Sequence, residues 1–396
     1  MKTLAMTILA LAMSAQAQTF NTLYNFTQQG LTGKMPSGQV TLDTQGNIYG
    51  ATIAGGTGGD LCGNGNNLGC GLIFELTPAN GQWTQTILYN FSGGKDGGQP
   101  NGGLIFDPQG NLYGTAAVGG QACSCGLVFE FSPTANGWVE TILHEFHGKD
   151  GQNPTAGLAF DSAGNLYGST SQGGTNGSYG TIFELSLVNG SWTFHTIYDM
   201  NYLAYQPDGP LVIDSLGSVY GTARYGKGAK EHNGDGVAFR VTPVDGKWNH
   251  AFIHIFDAFY REPAGGLLMN ADSVFYGTTS TGGMGFTGGE AYQITGGTKW
   301  SLETIKPFTQ AQGHPTSSLV MDANGNLYGA TTGGANGYGM IYRLAAGTWK
   351  YTDLYDFPIT NPAPYGNLIV DSQGNVYGVT GGDGVNTFGS VWEYQP

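Results

Sequence analysis

Residues 19–26 read TFNTLYNF, and residues 84–91 read TQTILYNF. The second stretch closes a unit that recurs along the chain, whereas the first stands ahead of any complete unit. Working outward from them, a short strand ending in Tyr-Gly occurs seven times, at Tyr49, Tyr113, Tyr167, Tyr220, Tyr276, Tyr328 and Tyr377, at intervals of 49 to 64 residues. Before each lies an apolar run of the type GGLIFD, whose first large apolar residue stands four residues after a proline, as Leu104 after Pro100 and Leu158 after Pro154. After each come a glycine-rich loop and a third strand of the type GLIFELTP, carrying Phe74, Phe129, Phe183, Phe239, Tyr292, Tyr342 or Trp392. A fourth strand starts at Trp83, Trp138, Trp192, Trp248, Trp300 or Trp349 and ends eight residues later. There are thus seven third strands but six tryptophan-led fourth strands, and the chain stops soon after Trp392. The stretch at 19–26 supplies the missing one. A linear stack needs no such division, but a ring does, because the N-terminal strand then completes the last blade and pairs its edge. The repeat predicts an all-β, seven-bladed β-propeller of four-stranded antiparallel blades, closed by the N-terminal strand and occupying residues 18–396 as one domain.

Composition agrees with many tight turns around an apolar core. The 396 residues include 69 glycines and 16 prolines, 40% are hydrophobic, and only 11% are charged. That composition excludes a coiled coil, and glycine without a three-residue period excludes collagen. The formal net charge is −14 with 14 Lys and Arg and no basic run. Nucleic-acid binding needs clustered cations against phosphates, so that class is disfavoured, as is binding to anionic membrane surfaces. Turns such as DPQGN and DSAGN join the first and second strands, with Asp bonding its own backbone and Gly supplying positive φ. One carboxylate per turn falls short of a calcium loop.

The first 17 residues, with Lys2, the apolar stretch 4–13 and the small-residue site Ala15-Gln16-Ala17, read as a secretory signal, too short to span a bilayer. The expectation is an exported, monomeric protein without membrane insertion or a C-terminal anchor. Export favours disulfides, and the loop positions pair Cys62 with Cys70 and Cys123 with Cys125; a four-thiolate zinc site is the rival reading.

The unit GNLYGT…GG…G-x-[IV]-F-E-L-[TS]-P…G-x-W, clearest at 110–133, 164–185 and 325–344, resembles the GloVer (Gloeo/Verruco) tandem repeat of secreted bacterial proteins. More loosely, D-x-x-G-N-x-Y is similar to the SBBP and NHL types of β-propeller repeat. The resemblance implies a propeller architecture and transfers no catalytic residue.

Residues that recur in every repeat are explained by packing. His144 and His254 take the place of Tyr24, Tyr89, Tyr198 and Tyr355 and read as half-buried substitutes for them. Function is better sought where the repeats differ. Strand order places the loops after the second and fourth strands around one mouth of the ring. Most of these loops are small and neutral, but the fourth repeat reads ARYGKGAKEHNGDG and the next loop on that face reads DAFYREP. The candidate ligand-binding residues are Tyr205, Asp208, Arg224, Tyr225, His232, Tyr260, Arg261, Glu262 and His314.

Two functions fit this set. One is a non-catalytic extracellular module that binds a glycan or protein, with tyrosines stacking on sugar faces and polar groups fixing hydroxyls. The other is a carbohydrate-active enzyme. In a polysaccharide lyase, Arg224 or Arg261 would neutralise a uronate while Tyr225, Tyr260 or His232 takes the α-proton. In a glycoside hydrolase, Glu231, Asp235 and Glu262 are the available carboxylates. No GxSxG, HExxH, CxxCH or GxxxxGK[ST] motif occurs. Neither a cofactor nor a metal is expected.

Overall fold

In the computed structural model the chain forms seven four-stranded antiparallel blades arranged as a β-propeller. The structure describes residues 18–27, 31–58, 61–62, 69–207, 209–226, 236–256, 262–282, 288–297, 299–360, 364–382 and 388–396. The proposed signal segment lies outside them. Blade 1 runs over Lys34–Leu42, Ile48–Ala54, Leu72–Ala79 and Gln82–Asn90. Blades 2 to 6 follow the same order, with third strands Leu127–Thr134, Thr181–Val188, Val237–Val244, Glu290–Thr295 and Met340–Leu344. Blade 7 takes Pro364–Val370, Val376–Thr380 and Ser390–Gln395 from the C-terminal end and Thr19–Asn25 as its outer strand.

The closing strand is a true fourth strand, as its register shows. It pairs Thr19 with Gln395 and Tyr24 with Val391, and the register slips between Thr22 and Tyr24, leaving Leu23 as the extra residue. The same slip occurs at the corresponding point of every outer strand, for example between Ile142 and His144 in blade 2. Such a bulge bends the strand and re-aims the side chains beyond it. Phe20 then stacks on Tyr355 of blade 6 at 3.8 Å and Phe26 meets Phe74 of blade 1 at 5.3 Å, so the added strand touches both neighbours.

Cohesion comes from one apolar cluster at each of the seven blade-to-blade interfaces, including that between blades 7 and 1. The repeated tyrosine and tryptophan meet across these interfaces. Tyr49 contacts Trp138 of blade 2 at 6.1 Å, and Tyr113 contacts Trp192 of blade 3 at 6.0 Å. The tyrosine is amphipathic: its ring packs on the next blade while its hydroxyl stays in a polar network. In blade 1, Asp43 Oδ1 accepts the backbone N–H groups of Gln45 and Asn47, and Oδ2 accepts the Asn47 amide. The Tyr49 hydroxyl lies 3.4 Å from that Oδ2 and 2.9 Å from Glu75.

The inner strands are shorter than the apolar runs suggest. In blades 2 to 6 the run itself pairs over two residues, as at Ile105–Phe106. Around the axis the backbones of neighbouring blades crowd each other, and this crowding requires glycine. A Cβ on Gly38 would collide with the backbone N of Gly103, and one on Gly209 with that of Gly266. Both disulfides form as expected, Cys62–Cys70 and Cys123–Cys125, which leaves no cysteine free for zinc.

Candidate functional site

Where the inner strands begin, all seven blades line one axial cavity of about 510 Å3. Its wall is largely Gly, Ala, Pro, Thr and Ser. Arg224, His314 and Tyr365 bring the charge and the ring systems, all from blades 4, 6 and 7, so the mouth is chemically one-sided.

Arg224 lies near the end of the second strand of blade 4, Val219–Gly226, with 44% of its side chain exposed. Its Nε donates to Glu262 Oε2 at 3.1 Å. Glu262 comes from the connection into blade 5, and Ser280 N donates to its carbonyl at 2.8 Å. The loops of blades 4 and 5 therefore meet at the rim. The Arg224 guanidinium also sits 5.8 Å from the Tyr225 ring.

Tyr225 faces Tyr205 across paired strands, with ring centroids 5.4 Å apart. Tyr205 in turn lies 5.6 Å from Tyr179 of blade 3. Burial raises the Tyr205 pKa, and the two neighbouring phenols add to the shift. The three rings form a half-buried aromatic rim beside Arg224, with Tyr202 exposed nearby in sequence. Tyr179 escaped the sequence reading. Its signal is positional: it stands where blades 1 and 2 carry Cys70 and Cys125, just before the glycine that opens the third strand.

Next round the ring, in blade 6, the His314 ring Nδ1 is 2.5 Å from the carbonyl oxygen of the same Ser280. A carbonyl only accepts, so Nδ1 carries the proton and Nε2 keeps the lone pair. The His314 backbone N–H donates to Thr332 Oγ1 at 3.1 Å, which fixes the residue from both ends.

Of the sequence candidates, Arg224, Tyr225, Tyr205 and Glu262 form one contiguous group, and Arg224 and His314 share the cavity. Asp208, His232, Tyr260 and Arg261 lie outside the described residues, as do Glu231 and Asp235. The arrangement offers flat apolar faces, one ion pair and one imidazole acceptor around a preformed hollow.

A closed ring of repeated blades with a diverged mouth defines a β-propeller repeat protein. The chain belongs to the Gloeobacter/Verrucomicrobia repeat family, whose model matches residues 60–258 and 228–396. No curated protein matches it. Among solved structures it is similar to a putative oxidoreductase (glucose dehydrogenase) from Thermus thermophilus, at 12% identity and TM-score 0.48 over 96% of this chain and 100% of that one. It is also similar to a gluconolactonase from Xanthomonas campestris, at 13% identity and TM-score 0.46 over 95% and 89%. A protein of unknown function from Dyadobacter fermentans matches at 11% identity and TM-score 0.47 over 95% and 98%. Nothing about activity follows from likenesses this distant.

Proposed function

We propose that this is an exported, non-catalytic binding module that holds a glycan chain across the mouth of the propeller. The observation that carries this reading is the aromatic rim Tyr179–Tyr205–Tyr225 abutting the Arg224–Glu262 pair, beside a cavity walled largely by small residues. Sugar rings present apolar C–H faces that stack on phenol rings, and their hydroxyls bond to fixed donors and acceptors. Arg224, Glu262 and His314 Nε2 supply those groups, and the backbone-lined wall lets a chain approach closely. The Arg224 Nε is engaged by Glu262, which weighs against Arg224 as the uronate partner in the lyase reading.

The test is retention on a panel of immobilised neutral and acidic polysaccharides, run beside an assay for reducing-end or unsaturated product. The expected result is retention without product, weakened at least tenfold in Tyr205→Ala and Tyr225→Ala while the melting temperature holds. Product release abolished by Arg224→Ala would replace this reading with the enzyme. Equal retention of wild type and both tyrosine variants would remove the site.

A further inference from the structure

On the same face as the mouth, but outside the axial cavity, the end of the blade 2 outer strand and the loop from it into blade 3 read HEFHGKD over residues 144–150. We propose that this loop binds a divalent first-row transition ion of the zinc class through His144 Nε2, His147 Nδ1 and Asp150 Oδ2. The Nε2 of His144 lies 3.0 Å from Asp150 Oδ2, and the Nδ1 of His147 lies 3.5 Å from the same oxygen. All three ligand atoms fall within 4.8 Å of one another. Ligands about 2.0–2.1 Å from a tetrahedral zinc are separated by about 3.3 Å, so two edges of the polyhedron already have the right length. Only the edge between the two imidazoles has to close. Among the described residues this is the one group of three or more His, Cys, Asp or Glu side chains at such distances.

A comparison within the molecule separates these side chains from the needs of the fold. The loop joining blades 1 and 2 is built on the same plan around Asp96, which accepts the Ser92 N–H at 2.7 Å and the Tyr89 hydroxyl at 3.3 Å. In the next loop Asp150 keeps that office, accepting the His147 N–H at 2.7 Å. The loop thus needs the aspartate and the backbone, and Tyr89 and Ser92 serve it without imidazoles. In blade 2 both positions are histidine, two of only seven in the chain, and both turn a ring nitrogen to the same carboxylate.

Two of the three ligands are already held. The His144 ring stacks on Phe194 of blade 3 at 3.6 Å and 5°, and the Asp150 carbonyl accepts Thr181 Oγ1 at 3.0 Å. Outer contacts of this kind fix ligand orientation and strengthen binding. The His147 side chain is 59% exposed, so it provides the entry path and swings in last. When the ion binds, the lone pair of His144 Nε2 turns to the metal and its proton moves to Nδ1 or to solvent. Two imidazoles and one carboxylate, without a thiolate, suit zinc, nickel or copper rather than calcium. Solvent takes the fourth position. The sequence expectation of no metal rests on the calcium-loop, cysteine and HExxH patterns, none of which describes this loop.

The experiment titrates chelator-treated full-length protein with Zn2+ by calorimetry and with Co2+ by its ligand-field absorption. Wild type is expected to take one equivalent, with affinity falling at least tenfold in His147→Ala. The double change His144→Tyr with His147→Ser rebuilds the Tyr89–Ser92–Asp96 loop, so it keeps its melting temperature and loses binding. His195→Ala, at an exposed histidine in blade 3, leaves binding unchanged. Absence of Zn2+ uptake by wild type would overturn the proposal, as would equal uptake by wild type and the folded double variant.

Discussion

The two faces of the ring follow different rules. On the face of the tight turns, each first-to-second strand turn repeats one solution. Asp107, Asp161, Asp322 and Asp371 each accept two backbone N–H groups, an asparagine amide and a tyrosine hydroxyl, as Asp43 does. Blade 4 keeps the aspartate without the asparagine, and blade 5 replaces it by Asn270, which still accepts two N–H groups. On the mouth face, corresponding loops carry a disulfide in blades 1 and 2, Tyr179 in blade 3 and Arg224 at the loop edge in blade 4. Repetition marks what every blade needs to fold. Divergence on a rigid frame marks where chemistry is free to specialise.

The largest effect should come from breaking the ring that both faces share. Deleting residues 18–27 removes the outer strand of blade 7 together with the buried Phe26, and exposes the edge beside Trp392. Losing Phe26 and the half-buried Phe20, Leu23 and Tyr24 costs on the order of 5 kcal/mol, comparable with the whole stability of many domains. Loss of the cooperative thermal transition, followed by calorimetry, is the expected outcome; an unchanged transition would refute closure as the source of cohesion.

Next comes the turn face. Asp161→Ala removes the acceptor of four hydrogen bonds and leaves the Tyr167 hydroxyl with Glu184 alone. The expected destabilisation is about 2 kcal/mol in denaturant titration, and ligand retention should be untouched.

A smaller, pH-dependent effect arises at an interface between blades. Burial, partly offset by the Tyr89 hydrogen bond, pushes the Glu140 carboxyl up to about 7. A folded-state value above the unfolded one means that the contribution to stability is full below about 4.5 and is lost as pH rises through about 7. Glu140→Gln should therefore stabilise the protein at pH 8 by on the order of 1 kcal/mol after solvent screening, and by little at pH 4. Equal gains at both values would contradict the assignment.

The smallest effect on stability belongs to the mouth. Arg224→Ala breaks a partly exposed ion pair worth about 0.5 kcal/mol or less. Its signature should instead be weakened glycan retention, the reverse of Asp161→Ala. Together these two variants sharpen the contrast between the faces: one moves stability without binding, the other binding without stability.

How much could be read in advance follows the same division. Blade number, the fourth-strand identity of residues 19–25 and both disulfides were legible because they rest on period and on matching patterns, which are local. Lengths of the inner strands were not, since crowding of Gly209 against Gly266 around the axis is a contact between blades. His144 illustrates the limit best. Its alignment with Tyr89 reads as a half-buried substitute, and the structure places it so, stacked on Phe194. That its Nε2 also faces Asp150 beside His147 follows from the bulge between Ile142 and His144 and from the fold of the following loop. Tyr179 likewise becomes part of a rim only because blade 4 brings Tyr205 against it.

By itself, then, the order of residues determined that this chain closes seven blades into a ring, because burial of a repeated apolar pattern admits few arrangements. Only tertiary structure decided which side chains share a mouth or a carboxylate. Those meetings depend on bulges and long-range strand pairing, and a linear pattern does not contain their directions.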